Sequence, residues 1–399
     1  MMANSPSPEI KKGTVKSKDK PVLPNIGTIA LVHEWLSLKA GSEEVLQSFV
    51  EIFQDVDLYA TVDFMSAADR EKIAGPREIN TSFIQRLPFA RRHFRYYLPL
   101  MPWAVRRHQL KQYSLVLSSS HAFAHGLKKA PGQVHISYCH TPMRYIWDMQ
   151  DVYLKSHGIH AGPLGWASKL LTALLRAWDA RVSGATDHYI ANSRFTAQRI
   201  RRFYGRKATV IHPPVAVEKF SVEEQKGDYY LTVARMVCYK KVDLVVKAFN
   251  AMPLKKLIVI GDGSEKEKVE LIAGPNVTIL SHLEFAQFHK YLREAKAFVF
   301  AGKEDFGITL VEAQACGTPL IAFHKGGASE IIQPGKTGLF FRKQTPTAIA
   351  QAVEDFEQNY HGKFSAHQIR LNAERFGYER FKREVLEYVQ NIFSGRHAQ

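Results

Sequence analysis

The stretch Glu304-Asp305-Phe306-Gly307-Ile308-Thr309-Leu310-Val311-Glu312 constrains the fold of this chain more than any other. It follows an apolar run, Ala297-Phe298-Val299-Phe300, that reads as a buried strand, and it sets apolar residues at Ile308, Val311 and Ala315 in helical spacing. Strand, polar loop and helix in that order define an α/β unit. Gly307 stands where the loop enters the helix, so backbone N–H groups and the positive end of the helix dipole face whatever binds above the strand. Negative charge is favoured there. Glu304 and Glu312, with seven residues between them, bracket the turn. Carboxylates repel phosphate and accept hydrogen bonds from hydroxyls, and hydroxyls beside phosphates suggest a nucleotide sugar.

The two glutamates are followed by Ala313-Gln314-Ala315-Cys316-Gly317-Thr318-Pro319. This pattern resembles retaining glycosyltransferase family 4, where an ordinary strand-loop-helix unit would need neither the acids nor the Ala-x-Ala-Cys-Gly-x-Pro run. The resemblance implies the GT-B fold: two doubly wound, Rossmann-like α/β domains facing across a cleft. It also implies catalysis without a metal or other cofactor.

With 399 residues, the chain is long enough for two such domains, each with its own core. No run reaches the roughly 18 uninterrupted apolar residues of a membrane span. The most apolar helical stretch, near Leu164 to Trp178, is broken by Lys169 and Arg176. Residues 1–24 are rich in Ser, Pro and Lys without an apolar core, which predicts a disordered tail rather than a signal peptide. Cys139, Cys238 and Cys316 have neither zinc nor disulfide spacing, and a reducing cytoplasm is the expected compartment.

The net charge of +16 is concentrated, since no acidic residue occurs between Glu78 and Asp148. Within that window Arg86, Arg91, Arg92, Arg95, Arg106 and Arg107 alternate with Phe, Tyr, Trp and Leu, as in an interfacial membrane segment. The segment therefore predicts peripheral contact with an anionic membrane surface, a solvated basic face being the alternative. Nucleic acid is not an expected partner, because no helix-turn-helix, zinc or RNA-binding signature accompanies the charge.

Along the chain, Thr28–Glu34 reads as the first strand, followed by a loop with Gly41 and a helix carrying Val45, Leu46, Phe49 and Phe53. The 32–45 region resembles the family's opening, with Ala40 in place of one glycine and Glu44 in place of an arginine. Asp55 and Asp57 precede a short strand and read as structural, so no metal ligands are expected. The strand Ser114–Ser118 leads to His121, which matches the family's active-site histidine. One strand later, His140-Thr-Pro-Met-Arg144 resembles the branch that assembles surface polysaccharides, often with mannose as the transferred sugar. The first domain is expected over 25–215, the second over 216–377, with a helix over 378–396 crossing back onto the first.

In the second domain, Arg235 and Lys240 lie in the loop after the strand Tyr229–Ala234. Two cations at the mouth of a parallel sheet call for an anion, and the loop resembles the family's diphosphate-binding loop. By resemblance the donor contacts are Gly41, Arg235, Lys240, Glu304, Phe306, Gly307, Ile308 and Glu312. His121, Glu304, Arg235 and Lys240 are the catalytic set. His140 with Arg91, Arg92 and Arg95 belongs to the acceptor or membrane side. The expected reaction moves a hexose, mannose from GDP-mannose first, to a lipid-linked or oligosaccharide acceptor with retention. A UDP-glucose or UDP-N-acetylglucosamine transferase and a non-catalytic nucleotide-sugar-binding subunit remain open alternatives.

Overall fold

The structure, a computed structural model, describes residues 26–38, 40–156, 158 and 161–397. The tail expected over 1–24 lies outside the described residues. Two parallel sheets account for the strands. The first contains β1 (Ile29–His33), β2 (Asp57–Ala60), β3 (Ile79–Thr81), β4 (Leu115–Ser120), β5 (Val134–Cys139), β6 (His188–Ala191) and β7 (Thr209–Val210). Its strand order is β3-β2-β1-β4-β5-β6-β7. The second contains β8 (Tyr230–Val233), β9 (Leu257–Ile260), β10 (Val277–Leu280), β11 (Ala297–Phe300), β12 (Leu320–Phe323) and β13 (Gly338–Phe341), in the order β10-β9-β8-β11-β12-β13. All pairings within both sheets are parallel.

Parallel strands are covered on both faces, so they read as continuous apolar runs rather than alternating ones. β11 is buried at all four positions. On one face of the first sheet, Phe49 and Phe53 of the helix Gly41–Phe53 pack with Phe381, Val385, Val389 and Phe393 of the helix Tyr378–His397. The chain's last helix thus completes the core of its first domain. On the other face, Phe94, Met101, Ala104 and Val105 pack with Leu175 of the helix Gly162–Ser183. Val215, Val217 and Phe220, between the two sheets in sequence, belong to the second domain's core with Leu310 and Phe376. Among the described residues no helix is long and apolar enough to cross a membrane.

In each sheet the strand order reverses once, between β1 and β4 and between β8 and β11. At such a switch point neighbouring loops leave in opposite directions and open a crevice beyond the carboxyl ends of the strands. Here the two crevices face each other. His33 ends β1 and His121 follows β4 on one side, and Arg235 and Glu304 follow β8 and β11 on the other.

Candidate active site

The cleft has a volume of about 490 Å³, and its walls include Gly41, Arg95, His121 and His140 from the first domain and Arg235, Lys240, Glu304, Gly307 and Ile308 from the second. On the second-domain side, Gly307 caps the helix Ile308–Ala315 with φ of 102°, a left-handed conformation that disfavours any residue with a Cβ. The first N–H groups of that helix open toward the cleft. The preceding loop is held from beneath by Gly326 and Gly327. A Cβ on Gly326 would lie 2.1 Å from the Glu304 carbonyl oxygen, and one on Gly327 would lie 1.9 Å from that of Phe306. The Gly327 N–H donates to the Glu304 carbonyl at 3.0 Å.

Lys240 forms an ion pair with Glu304. Burial, reinforced by Arg144 and Arg235 nearby, pushes its ammonium down to about 7, against a smaller pull from Asp305. That downward shift and the ion pair oppose one another. The Glu304 carboxylate in direct contact favours the charged form, so the ammonium carries its charge below that value and loses it above. Arg235 is exposed and donates to the Tyr239 hydroxyl at 3.0 Å. Glu312 has the opposite electrostatics: burial, with Glu44 of the first domain opposite, raises its carboxyl to about 8. The residue found where the family has an arginine is thus an acid close enough to disfavour the ionised form of Glu312, and neither of the two is among the residues that line the cleft.

On the first-domain side, His121 follows β4 and its ring meets the Trp35 ring edge-on at 4.7 Å. Burial holds its imidazole below the ordinary value, while Glu34 pulls it back up. His140 is hydrogen-bonded to Ser119 Oγ at 2.8 Å, and Ser119 Oγ in turn meets His33 Nδ1 at 3.0 Å. The far ring nitrogen of His33 lies 3.4 Å from Glu43. Burial, with His121 and His33 close by, lowers His140 to about 3, so it is a neutral polar group. Arg95 reaches the cleft, whereas Arg91 and Arg92 are exposed outside it.

One sequence expectation is corrected. The Phe306 ring is 3% exposed and packs on His212 and Phe376 at 5.5 and 5.4 Å, so only its backbone is offered to a ligand. Ile308, named among the donor contacts, lies on the cleft wall and also reaches toward the first domain. Its Cδ1 would lie 2.5 Å from a Cβ on Gly41, which explains why the first-domain helix begins on glycine. Asp57 accepts a hydrogen bond from the Tyr113 hydroxyl at 2.6 Å, consistent with a structural role.

The structure also reveals residues that sequence reasoning passed over. Asp305, 5% exposed, receives Arg144 on one oxygen, with Nε at 3.0 Å, and Arg199 on the other at 2.9 Å. Both arginines belong to the first domain, so this one carboxylate clasps the two domains immediately beside Glu304. Burial would raise its pKa, but the two guanidiniums outweigh it and hold the carboxyl below its ordinary range. A second bridge uses Glu330, which accepts the Arg194 and Phe195 N–H groups at 2.9 and 3.1 Å and meets His212 at 3.0 Å. Ser193 caps that same helix, accepting from the Thr196 N–H at 3.0 Å. The second domain thereby supplies the anion at a helix N-terminus of the first.

Comparison with known proteins agrees with this architecture. Residues 54–219 match the model of Glycosyltransferase Family 4, and residues 216–376 match that of Glycosyl transferases group 1. The GDP-mannose-dependent alpha-(1-6)-phosphatidylinositol monomannoside mannosyltransferase of Mycolicibacterium smegmatis is 26% identical over 228 residues, 49% of this chain and 59% of the relative. The D-inositol 3-phosphate glycosyltransferase of Paenarthrobacter aurescens is 36% identical over 93 residues, 23% of each chain. The matched regions span only part of these relatives, about half in the case of the Methanocaldococcus jannaschii glycosyltransferase at 50%. Among solved structures, Anabaena HepE in complex with UDP and glucose superposes with a TM-score of 0.66 at 15% identity, covering 90% of this chain and 98% of that one. Adjoining family matches across both domains, on two parallel sheets that share the GT-B architecture, identify the chain as a member of glycosyltransferase family 4.

Proposed function

We propose that the protein transfers a hexose with retention, mannose from GDP-mannose first among donors, to a lipid-linked or oligosaccharide acceptor in polysaccharide assembly. The observation that carries this reading is the convergence of Arg235, Lys240, Glu304 and the Gly307 helix N-terminus on one cleft wall, with His121 on the other. As the glycosidic bond breaks, charge builds on the leaving diphosphate. Fixed cations and aligned N–H groups stabilise that charge more than they stabilise the intact donor, which lowers the barrier. Donor binding releases Glu304 from Lys240: the ammonium turns to phosphate and the carboxylate to sugar hydroxyls. Glu312, protonated near neutral pH, can both donate to and accept from the ribose diol. His121 orients the sugar at the reacting carbon. No side chain is assigned as a covalent nucleophile. In a front-face route the departing phosphate accepts the acceptor's proton. This chemistry requires no metal.

The mannose assignment is supported by the 140–148 segment and by the mannosyltransferase relative. A screen of GDP-, UDP- and ADP-sugars for release of free nucleotide with acceptor present tests it. GDP-mannose is expected to give the fastest release. Faster release from a UDP-sugar would move the chain to the alternative donor class, and no release from any donor would support the non-catalytic reading.

Work at the cytoplasmic face of an anionic membrane is part of the proposal. Phe89, Tyr96, Leu100 and Trp103 are exposed in the basic segment, and Leu164, Trp166, Leu170 and Leu174 are exposed on the helix Gly162–Ser183. Both elements lie in the layer covering the same face of the first sheet. Arg107 stacks on the Trp103 ring at 4.5 Å, so cation and apolar surface are mixed, as an anionic interface requires. In sedimentation with anionic vesicles, replacing Arg91 and Arg92, the two that lie outside the cleft, is expected to lose about 2 kcal/mol of binding, near 1 per charge. Unchanged sedimentation would refute membrane docking by this segment.

A further inference from the structure

Glu34, the residue after β1, is a fully buried carboxylate for which the reaction scheme above has no use. Its Oε1 accepts the N–H groups of His121 at 3.0 Å, Ala122 at 2.7 Å and Ala124 at 2.9 Å, and the Ser120 hydroxyl at 2.9 Å. Its Oε2 accepts the Phe123 N–H at 2.8 Å. Five consecutive residues, 120–124, therefore point a donor at one side chain.

Successive N–H groups that turn inward form a concave anion site. Such sites commonly hold a ligand's phosphate. This one is filled by the protein's own carboxylate, delivered from the neighbouring strand at the sheet's switch point. Burial would favour the neutral acid, yet His121 and the backbone donors outweigh it and keep the carboxyl ionised. Bonds from neutral N–H groups to an ionised acceptor are about twice as strong as neutral pairs, so the turn is held rigidly.

The turn matters because it carries His121. Glu34 binds the backbone N–H of that histidine, while the adjacent Trp35 meets its ring edge-on at 4.7 Å. Backbone and ring are thus gripped by consecutive residues of one strand end. We propose that Glu34 is a positioning residue for sugar transfer, which sets the 120–124 turn so that the His121 ring meets the transferred sugar. This rests on the role given to His121 above.

The test compares Glu34→Gln, His121→Ala and the double variant, with kcat, donor KM and nucleoside diphosphate affinity measured on each. Glutamine keeps the shape but sets an amide donor against the cluster of N–H donors. Its kcat is expected to fall about 100-fold, the cost of misplacing a reacting group by roughly 1 Å. Diphosphate affinity stays within about twofold, because that site lies on the other domain. The double variant is expected to be no slower than the slower single one, as for two residues acting as a unit. Wild-type kcat in Glu34→Gln, multiplying rates in the double variant, or a parallel loss of diphosphate affinity would overturn the proposal alone. Wild-type kcat in His121→Ala would overturn the role of His121 and this proposal with it. If Glu34→Gln does not fold, Glu34→Asp, which keeps the charge but cannot span all five donors, carries the same comparison.

Discussion

Replacing Asp305 with alanine is expected to lower the melting temperature, expand the molecule in solution and cut sugar transfer by at least about 100-fold. The reason is its position between two guanidiniums of the opposite domain, 5% exposed. Removing one partner from a buried ion pair costs about 3–5 kcal/mol, because the remaining charge is left without compensation. Here two charges would be left. Arg199 retains Asp148 at 2.8 Å, whereas Arg144 is left over the face of Tyr239 at 5.2 Å. The cleft would open, and Glu304, next in the chain, would lose its register with the first domain.

The same clasp sets a pH dependence whose sign follows from the lowered carboxyl of Asp305. A depressed acid contributes stability that is fully present above the unfolded value of about 3.9 and is lost as pH falls through the lower folded value. The clasp therefore holds throughout the neutral range and releases only in acid. Small-angle scattering, thermal melting and transfer rate measured together on Asp305→Ala check the prediction. Unchanged dimensions with unchanged transfer would show that closure depends on other contacts, Glu330 foremost.

Much of this arrangement was legible in the sequence because its signals are local. Apolar runs such as Ala297–Phe300 mark buried strands, and Gly307 between a polar loop and a helix marks an anion-facing terminus. Arg235 and Lys240 stand in one loop, so their shared purpose could be read directly. What the sequence concealed depends on partners far away. Asp305 lies 161 positions from Arg144, and Glu34 lies 87 from the His121 N–H it binds. Nothing in their neighbourhoods distinguishes either from a solvated surface acid. Phe306 misled for the same reason, since the Phe376 ring that draws it inward is supplied from the end of the second domain. Ile308 fits the helical period of a core residue. Its place among the donor contacts comes from the resemblance, and its closeness to Gly41 of the other domain is visible in the structure alone.

The second large effect concerns the diphosphate. Lys240→Ala is expected to reduce transfer by about 100- to 1,000-fold, the loss seen when a fixed group facing developing charge is removed. Arg235 is expected to contribute less, since it is exposed and solvent screens it. Because burial and two neighbouring arginines bring Lys240 to about 7, its charge is sensitive to neutral pH. The protonated form binds the donor's phosphates, so donor affinity is expected to weaken as pH rises through that value. An arginine at this position stays charged and should flatten the profile.

The most direct measurement is titration of GDP-mannose into the wild type, Lys240→Ala and Lys240→Arg between pH 6 and 9, with transfer rates taken on the same samples. A cleft that grips a departing diphosphate predicts weaker donor binding and at least about 100-fold slower transfer for alanine, with a flatter pH response for arginine. Wild-type affinity and rate in Lys240→Ala across that range would contradict it.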